Sequence, residues 1–268
     1  MKTGAVIFAF NNEQIDYVAM AAWSAKNIRR HLDIPVCLVT DTPDQDLTAF
    51  DQVVFTKSTA DTTNSRYFSD YQTDVTWHNL NRMDAYALSP YDKTLVLDAD
   101  YVVASDQLRV LLDSNQEFIA HGHAHDVTGH QAFAENNWFG TYKMPMHWAT
   151  VMCFRKCQHA ELIFDSMQMI RDHWQHYRKL YGIREKTYRN DFALSIAMNI
   201  VDGHTLSTPS IPWSLASVTQ GPTLTQVDTD VYRLEYFTQD QKPRWILLTQ
   251  DFHAMGKRAL GDIIGSNS

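Results

Sequence analysis

Ala5 to Phe10 is a continuous apolar run beginning just after Gly4, the pattern of a strand buried on both faces. Asn11-Asn12 breaks it. Ile15, Val18, Ala22, Ala25, Ile28 and Leu32 then recur at spacings of three and four, which predicts an amphipathic helix. Arg29, Arg30 and His31 fall in its last turn, where cations suit the helix dipole. Pro35 stops it, and Val36 to Thr40 is a second apolar run. Strand, helix and strand within forty residues make a βαβ unit, so the sheet is parallel here. The loops Phe10-Asn11-Asn12 and Thr40-Asp41 then line one crevice, because ligands of open α/β sheets bind outside the carboxyl ends of strands.

Thr94 to Leu97 is another short apolar run, and it ends in Asp98-Ala99-Asp100. On a strand, residues i and i+2 point to the same side. Two carboxylates that close raise each other's pKa unless a cation holds them. Hard oxygen ligands suit Mg²⁺ or Mn²⁺, and such an ion commonly carries a phosphate substrate. The competing reading is a plain turn, since Asp favours local side-chain-to-backbone bonds.

The 268 residues fit one large α/β domain, or one with an appendage. A net charge of −8 argues against a surface that binds nucleic acid all over. From Arg171 to Arg189, however, six basic residues stand against Asp172 and Glu185, which leaves a local net of +4. That stretch either faces an anionic acceptor or is a solvated helix face and loop. Cys37, Cys153 and Cys157 are odd in number and lie in apolar surroundings, as reduced structural thiols of a cytosolic protein do. No apolar run approaches ~20 residues and no signal peptide opens the chain, so neither a membrane span nor export is expected.

Further elements follow in order. Gln52 to Phe55 predicts a third strand, Lys57 to Asp74 a long polar loop that is either a lid or disordered, and His78 to Leu88 a helix. Asp106 to Leu112 predicts a short helix, Glu117 to Ala120 a strand, Asn136 to Met146 an irregular aromatic stretch and Trp148 to Phe154 a strand. Ala160 to Tyr177 predicts one strong helix, and Tyr188-Arg189-Asn190-Asp191 opens another that Gly203 ends. Asn190 or Asp191 could serve only to cap it. Three prolines make Ser207 to Pro222 an irregular wall, and Val231 to Tyr236 and Arg244 to Thr249 read as strands of a smaller sheet. His121-Gly122-His123-Ala124-His125-Asp126, with His130 beyond, invites a zinc-hydrolase reading, but its last residues are in the wrong order for that motif. A histidine-rich loop near a substrate mouth is the preferred reading. The tail offers His253, Gly256 and Lys257: a histidine past a strand, then a glycine and a cation that suit a metal–phosphate site.

With these residues assembled, the chain resembles nucleotide-sugar-dependent glycosyltransferases of the GT-A fold, in layout the glycogenin and lipopolysaccharide galactosyltransferase group. The resemblance runs at motif level from Ala5 to Lys257. It implies a Rossmann-type mixed sheet flanked by helices with a smaller C-terminal sheet. It also implies a single domain, 1–268, with a nucleotide-binding half, 1–105, and an acceptor-side half, 106–268. Ala9, Phe10 and Asn11 stand where the family holds the nucleoside, with Tyr17 nearby for the base. Arg82, sixteen positions before the metal motif, stands where a basic residue contacts phosphate or sugar. Asp98, Ala99 and Asp100 are the metal motif, which binds Mn²⁺ or Mg²⁺. Asp191, with Asn190 beside it, maps to the acidic residue that reaches the donor sugar. His253 maps to the third protein ligand of the metal, and Gly256 and Lys257 to the phosphate contact, although the family's lysine usually falls two residues later. The family often has Asn-x-Gly near the acceptor, where this chain has Trp148-Ala149-Thr150.

The activity implied is transfer of a sugar from a nucleoside diphosphate sugar, UDP-linked, with retention of configuration. Catalytic roles fall on Asp191, Arg82 and Asn190, and the location implied is the cytoplasm, that of the host cell if the protein is phage-encoded. Family members modify proteins, lipid-linked glycans or small molecules. GT-A-like proteins of large tailed phages add a hydroxymethylated DNA base to that range, contacted here through Arg171 to Arg189. Two rivals stand beside this reading. A haloacid-dehalogenase-like phosphatase would use Asp98-Ala99-Asp100 as its nucleophile motif, with Lys257 and Asp262 downstream. A non-catalytic sugar-nucleotide-binding protein would keep the donor site and lack an acceptor site.

Overall fold

In this computed structural model, residues 1–57, 65–68, 71–76, 78–79, 81–130, 137–219 and 221–266 are described. The opening unit forms as the sequence dictates. Strand β1 (Thr3–Phe8) leads to helix α1 (Tyr17–Leu32) and then to β2 (Val36–Thr40), which is parallel to β1. The helix starts where Asp16 caps it, its side chain accepting from Ala19 N at 2.9 Å. It ends at Asp33, whose left-handed φ of 53° lets the chain turn out toward β2. Strand β3 (Gln52–Phe55) adds to β2 in parallel. Within the stretch expected to be a loop or disordered, β4 (Ser65–Phe68) and β5 (Thr73–Thr76) pair as an antiparallel hairpin. Residues 58–64 and 69–70 of it lie outside the described residues.

The helix expected from His78 is shorter than its pattern. Only a 3₁₀ turn, Arg82–Asp84, and α2 (Ala85–Leu88) form. Strand β6 (Lys93–Asp98) then enters beside β1 in register, Phe8 opposite Asp98, so both strands end at one edge. The chain turns through Ala99-Asp100 into β7 (Tyr101–Val102) and runs on through α3 (Arg109–Asp113), β8 (Phe118–His121) and β9 (Ala124–Asp126). Strands β10 (Trp138–Phe139) and β11 (Met144–Pro145) form a small hairpin where irregular chain was expected. Strand β12 (Trp148–Arg155) returns antiparallel between β6 and β8. The main sheet therefore runs β3-β2-β1-β6-β12-β8, parallel up to β6 and mixed beyond it.

The single helix expected over Ala160 to Tyr177 is two, α4 (Gln158–Asp172) and α5 (Trp174–Leu180), broken at His173. Helix α6 (Asn190–Val201) follows. The stretch read as an irregular wall contains β13 (Leu215–Val218), parallel to β9. Strands β14 (Thr223–Asp228), β15 (Val231–Phe237) and β16 (Pro243–Leu248) make the smaller antiparallel sheet. Strand β17 (Phe252–Ala254) and α7 (Lys257–Ser266) close the chain.

The core lies between the main sheet and its helices. On β12, Phe154 meets Phe164 of α4 edge-on at 4.9 Å, and Phe164 reaches Phe118 of β8 at 5.7 Å. Burying one such ring is worth roughly 2 kcal/mol. What matters for the site is the β7-β17-β13-β9 sheet. It pairs Tyr101 with His253 and Ser217 with His253, and so carries the tail back to the carboxyl ends of β1 and β6. Cys37 and Cys153 are buried free thiols and Cys157 is a half-buried one. No helix is long and apolar enough to cross a membrane among the described residues.

Candidate active site

Asp98 ends β6, and Asp100 sits in the turn after it. The two carboxylates therefore share a pocket through a tight turn, and not through strand alternation as expected. Tail and turn are stitched together by backbone, with Ala254 N donating to Asp100 O at 2.9 Å. His253 Nε2 thus comes 3.1 Å from Asp100 Oδ2, across 153 positions of sequence. A second clamp, invisible in the sequence, holds the tail. Asp251 Oδ1 accepts from Ala104 N at 2.9 Å and from Ser105 N and Oγ, both at 2.8 Å. Burial pushes the Asp251 carboxyl up to about 6 despite these donors.

One ligand atom from each of Asp98, Asp100 and His253 can be chosen so that all lie within 4.8 Å of one another. Two hard carboxylate oxygens and an imidazole suit Mn²⁺ or Mg²⁺, so the donor set fits the metal that the resemblance implies. Among the described residues this is the one cluster of three such ligands. The histidine-rich loop forms none. His121 is buried and shares a hydrogen bond with Trp213 O at 3.1 Å, and His125 faces Ser214 Oγ at 3.0 Å. Neither His121 nor His125 lines the pocket.

Cations converge on the same carboxylates. Arg82 donates to Asp98, and to Leu97 O at 3.3 Å, while its guanidinium lies over the Phe8 ring. It is only 2% exposed, and burial pulls its pKa down to about 10, with Asp191 opposing that shift. It remains charged at neutral pH. Lys257 donates to Asp100 and, at 3.3 Å, to Ala254 O.

Asp191 does not cap its own helix. Its Oδ1 accepts from Ala149 N at 2.9 Å and its Oδ2 from Arg189 at 2.7 Å. Asn190 donates to Asn79 O at 2.9 Å. Phe10, Tyr17, Arg82, Asp98, Ala99, Asp100, Asn190, Asp191, His253 and Lys257 all line one pocket.

Three expected residues do not line it: Ala9, Asn11 and Gly256. Asn11 has a physical reason. Its Oδ1 accepts from Val18 N and its Nδ2 donates to Asp16, both at 2.9 Å, so its amide secures the start of α1. The sequence reading also missed lining residues, among them His78, Asn79, Arg189 and Ser217. Arg189, two residues before Asp191, was the detectable one. Asp262, required by the phosphatase reading, is exposed and lies by the Thr223–Thr229 strand end, outside this pocket.

Fold and site together define an α/β protein with an acid–acid–imidazole cluster and two cations at the carboxyl edge of its sheet. No family model matches the sequence, and no curated protein matches it. Among solved structures the chain is similar to the glycosyltransferase GlyE of Streptococcus pneumoniae, with 14% identity and a TM-score of 0.44 over 79% of this chain and 46% of that one. It is similar to the galactosyltransferase LgtC in complex with donor and acceptor sugar analogs, with 14% identity and a TM-score of 0.47 over 71% of this chain and 69% of that one. It is also similar to mouse xyloside xylosyltransferase 1, with 12% identity and a TM-score of 0.43 over 74% of this chain and 82% of that one. The chain thus spans less than half the length of the GlyE chain. Likeness this distant assigns no chemistry, which rests on the side chains described above.

Proposed function

We propose that the protein is a metal-dependent glycosyltransferase that moves a sugar from a UDP-linked donor. The observation that carries this reading is the convergence of Asp98, Asp100 and His253 with two cations in one pocket. Asp98, Asp100 and His253 would hold Mn²⁺ or Mg²⁺, which supplies Lewis-acid stabilisation of the leaving diphosphate when bound. Arg82 and Lys257 add fixed positive charge toward the same oxygens. Phe10 and Tyr17 line the pocket and would pack against the base.

Asp191 has both oxygens occupied, by Ala149 N and Arg189, so it acts as a fixed negative charge and not as a mobile base. Such a charge favours the oxocarbenium character that the donor sugar develops. Asn190 holds the Asn79 backbone and thereby shapes the pocket wall. The acceptor approaches past Trp148, Ala149 and Thr150, which line the same pocket.

Thermal shift with Mn²⁺ across UDP-, GDP- and CMP-sugars tests the donor. A UDP-sugar at a hundred times its Kd is expected to add about 2.7 kcal/mol of apparent stability. The gain should vanish without the metal. Release of phosphate from simple phosphoesters with no nucleotide-sugar effect would restore the phosphatase reading. Donor binding with neither hydrolysis nor transfer would leave a binding protein.

A further inference from the structure

The basic stretch from Arg171 to Arg189 is not one face. Arg171 is half-buried with its guanidinium against Met83 Sδ, and Arg189 lines the pocket. Arg178 is spent on its own loop, donating to Glu185 O and Arg184 O, both at 3.1 Å. Trp174 Nε1 donates to Lys186 O at 2.8 Å. Three successive carbonyls are thus fastened inward, and Lys179, Arg184 and Lys186 are left exposed.

The β10–β11 hairpin is bound to this turn. Thr141 N donates to Tyr181 O at 3.2 Å, and Gly140 approaches so closely that a Cβ there would lie 2.0 Å from that same oxygen. The hairpin contributes exposed Lys143, Tyr142 at 71% exposure and Trp138 at 50%. None of these four cations makes an ion pair among the described residues.

Residues 178–189 carry five basic side chains against Glu185, and 137–148 carry Lys143 with no acid, in a chain whose net charge is −8. Both segments run straight into the pocket wall. Lys143 precedes Trp148 by five residues and Lys186 precedes Arg189 by three, which bounds the gaps at roughly 17 Å and 10 Å.

We infer that this rim binds a single-stranded nucleic acid, its phosphates on Lys143, Lys179, Arg184 and Lys186 and its bases against Tyr142 and Trp138. Unpaired cations interleaved with exposed rings are the chemistry that holds such a strand. The charge complementarity is local, on a chain whose overall balance is acidic. The inference builds on the proposed function in one respect: the strand leads to the acceptor side of the donor pocket, and so names the acceptor class.

The test is fluorescence anisotropy with a labelled 12-nucleotide single-stranded DNA and the full chain. Four phosphate contacts predict a roughly 50-fold loss of affinity between 50 and 200 mM salt. Tyr142→Ala is expected to lose roughly tenfold. The triple variant Lys179→Glu, Arg184→Glu, Lys186→Glu should abolish binding. It should leave the Mn²⁺-dependent thermal shift by UDP intact, which separates this inference from the donor site. No binding at 50 mM salt would overturn it. So would binding that the triple variant leaves unchanged, or tighter binding of the same rim to phosphatidylglycerol vesicles.

Discussion

Asp100→Asn is expected to lower metal-dependent cleavage of the nucleotide sugar on the order of 10³-fold, the scale of removing a principal charge-stabilising group. Asp100 is the junction of the site. Its Oδ2 lies 3.1 Å from His253 Nε2 and accepts from Lys257, and its backbone carbonyl holds the β17 tail. Asparagine keeps an oxygen for those partners and keeps the backbone bond, but it removes the negative charge that a divalent ion needs. The fold should survive, because Asp251 still clamps the tail to Ala104 and Ser105. UDP release with Mn²⁺, read beside far-ultraviolet circular dichroism, checks both halves. Unchanged turnover in a folded variant would remove the proposed site.

The second large effect is acid destabilisation. Burial holds the pKa of His121 and of His147 down at about 4, against 6.5 for a free imidazole. As pH falls through 6.5 the unfolded chain takes up these protons and the folded chain does not. Their stabilisation is full above pH 6.5 and lost as pH falls toward 4. Each is worth about 3 kcal/mol at that scale. Asp251 works the other way, since its folded pKa of about 6 lies above the unfolded value of 3.8. Its protonated form favours the fold, by about 3 kcal/mol below pH 4 relative to neutral pH. Two histidines outweigh one aspartate, so the melting temperature should drop by roughly 10 °C from pH 7 to pH 4. A His121→Asn, His147→Asn double variant should flatten that dependence, whatever its own melting temperature at pH 7. An unaltered pH profile would mean that these imidazoles are not the cause.

Much of the fold was legible because its strands are continuous apolar runs. Val36–Thr40 and Gln52–Phe55 form with the bounds their residues suggest. Ser207 to Pro222 misled because Pro209, Pro212 and Pro222 surround β13, and a four-residue strand between prolines carries no periodicity of its own. The break at His173 was hidden because neither glycine nor proline marks it. In the site, the paired carboxylates could be read from chemistry alone. His253 was expected beside them because the resemblance placed it there; no local pattern records the sheet pairing that closes the gap of 153 residues. Asn11 looked like a ligand-binding turn residue because a helix-securing asparagine and a ligand-binding one have the same sequence signature.

Mn²⁺ electron paramagnetic resonance on protein labelled with ¹⁵N-histidine tests the shared ion most directly. The account predicts hyperfine coupling to a single directly bound imidazole nitrogen, lost in His253→Ala and in Asp100→Asn. Bound Mn²⁺ with no nitrogen coupling, or coupling that persists in His253→Ala, would contradict it.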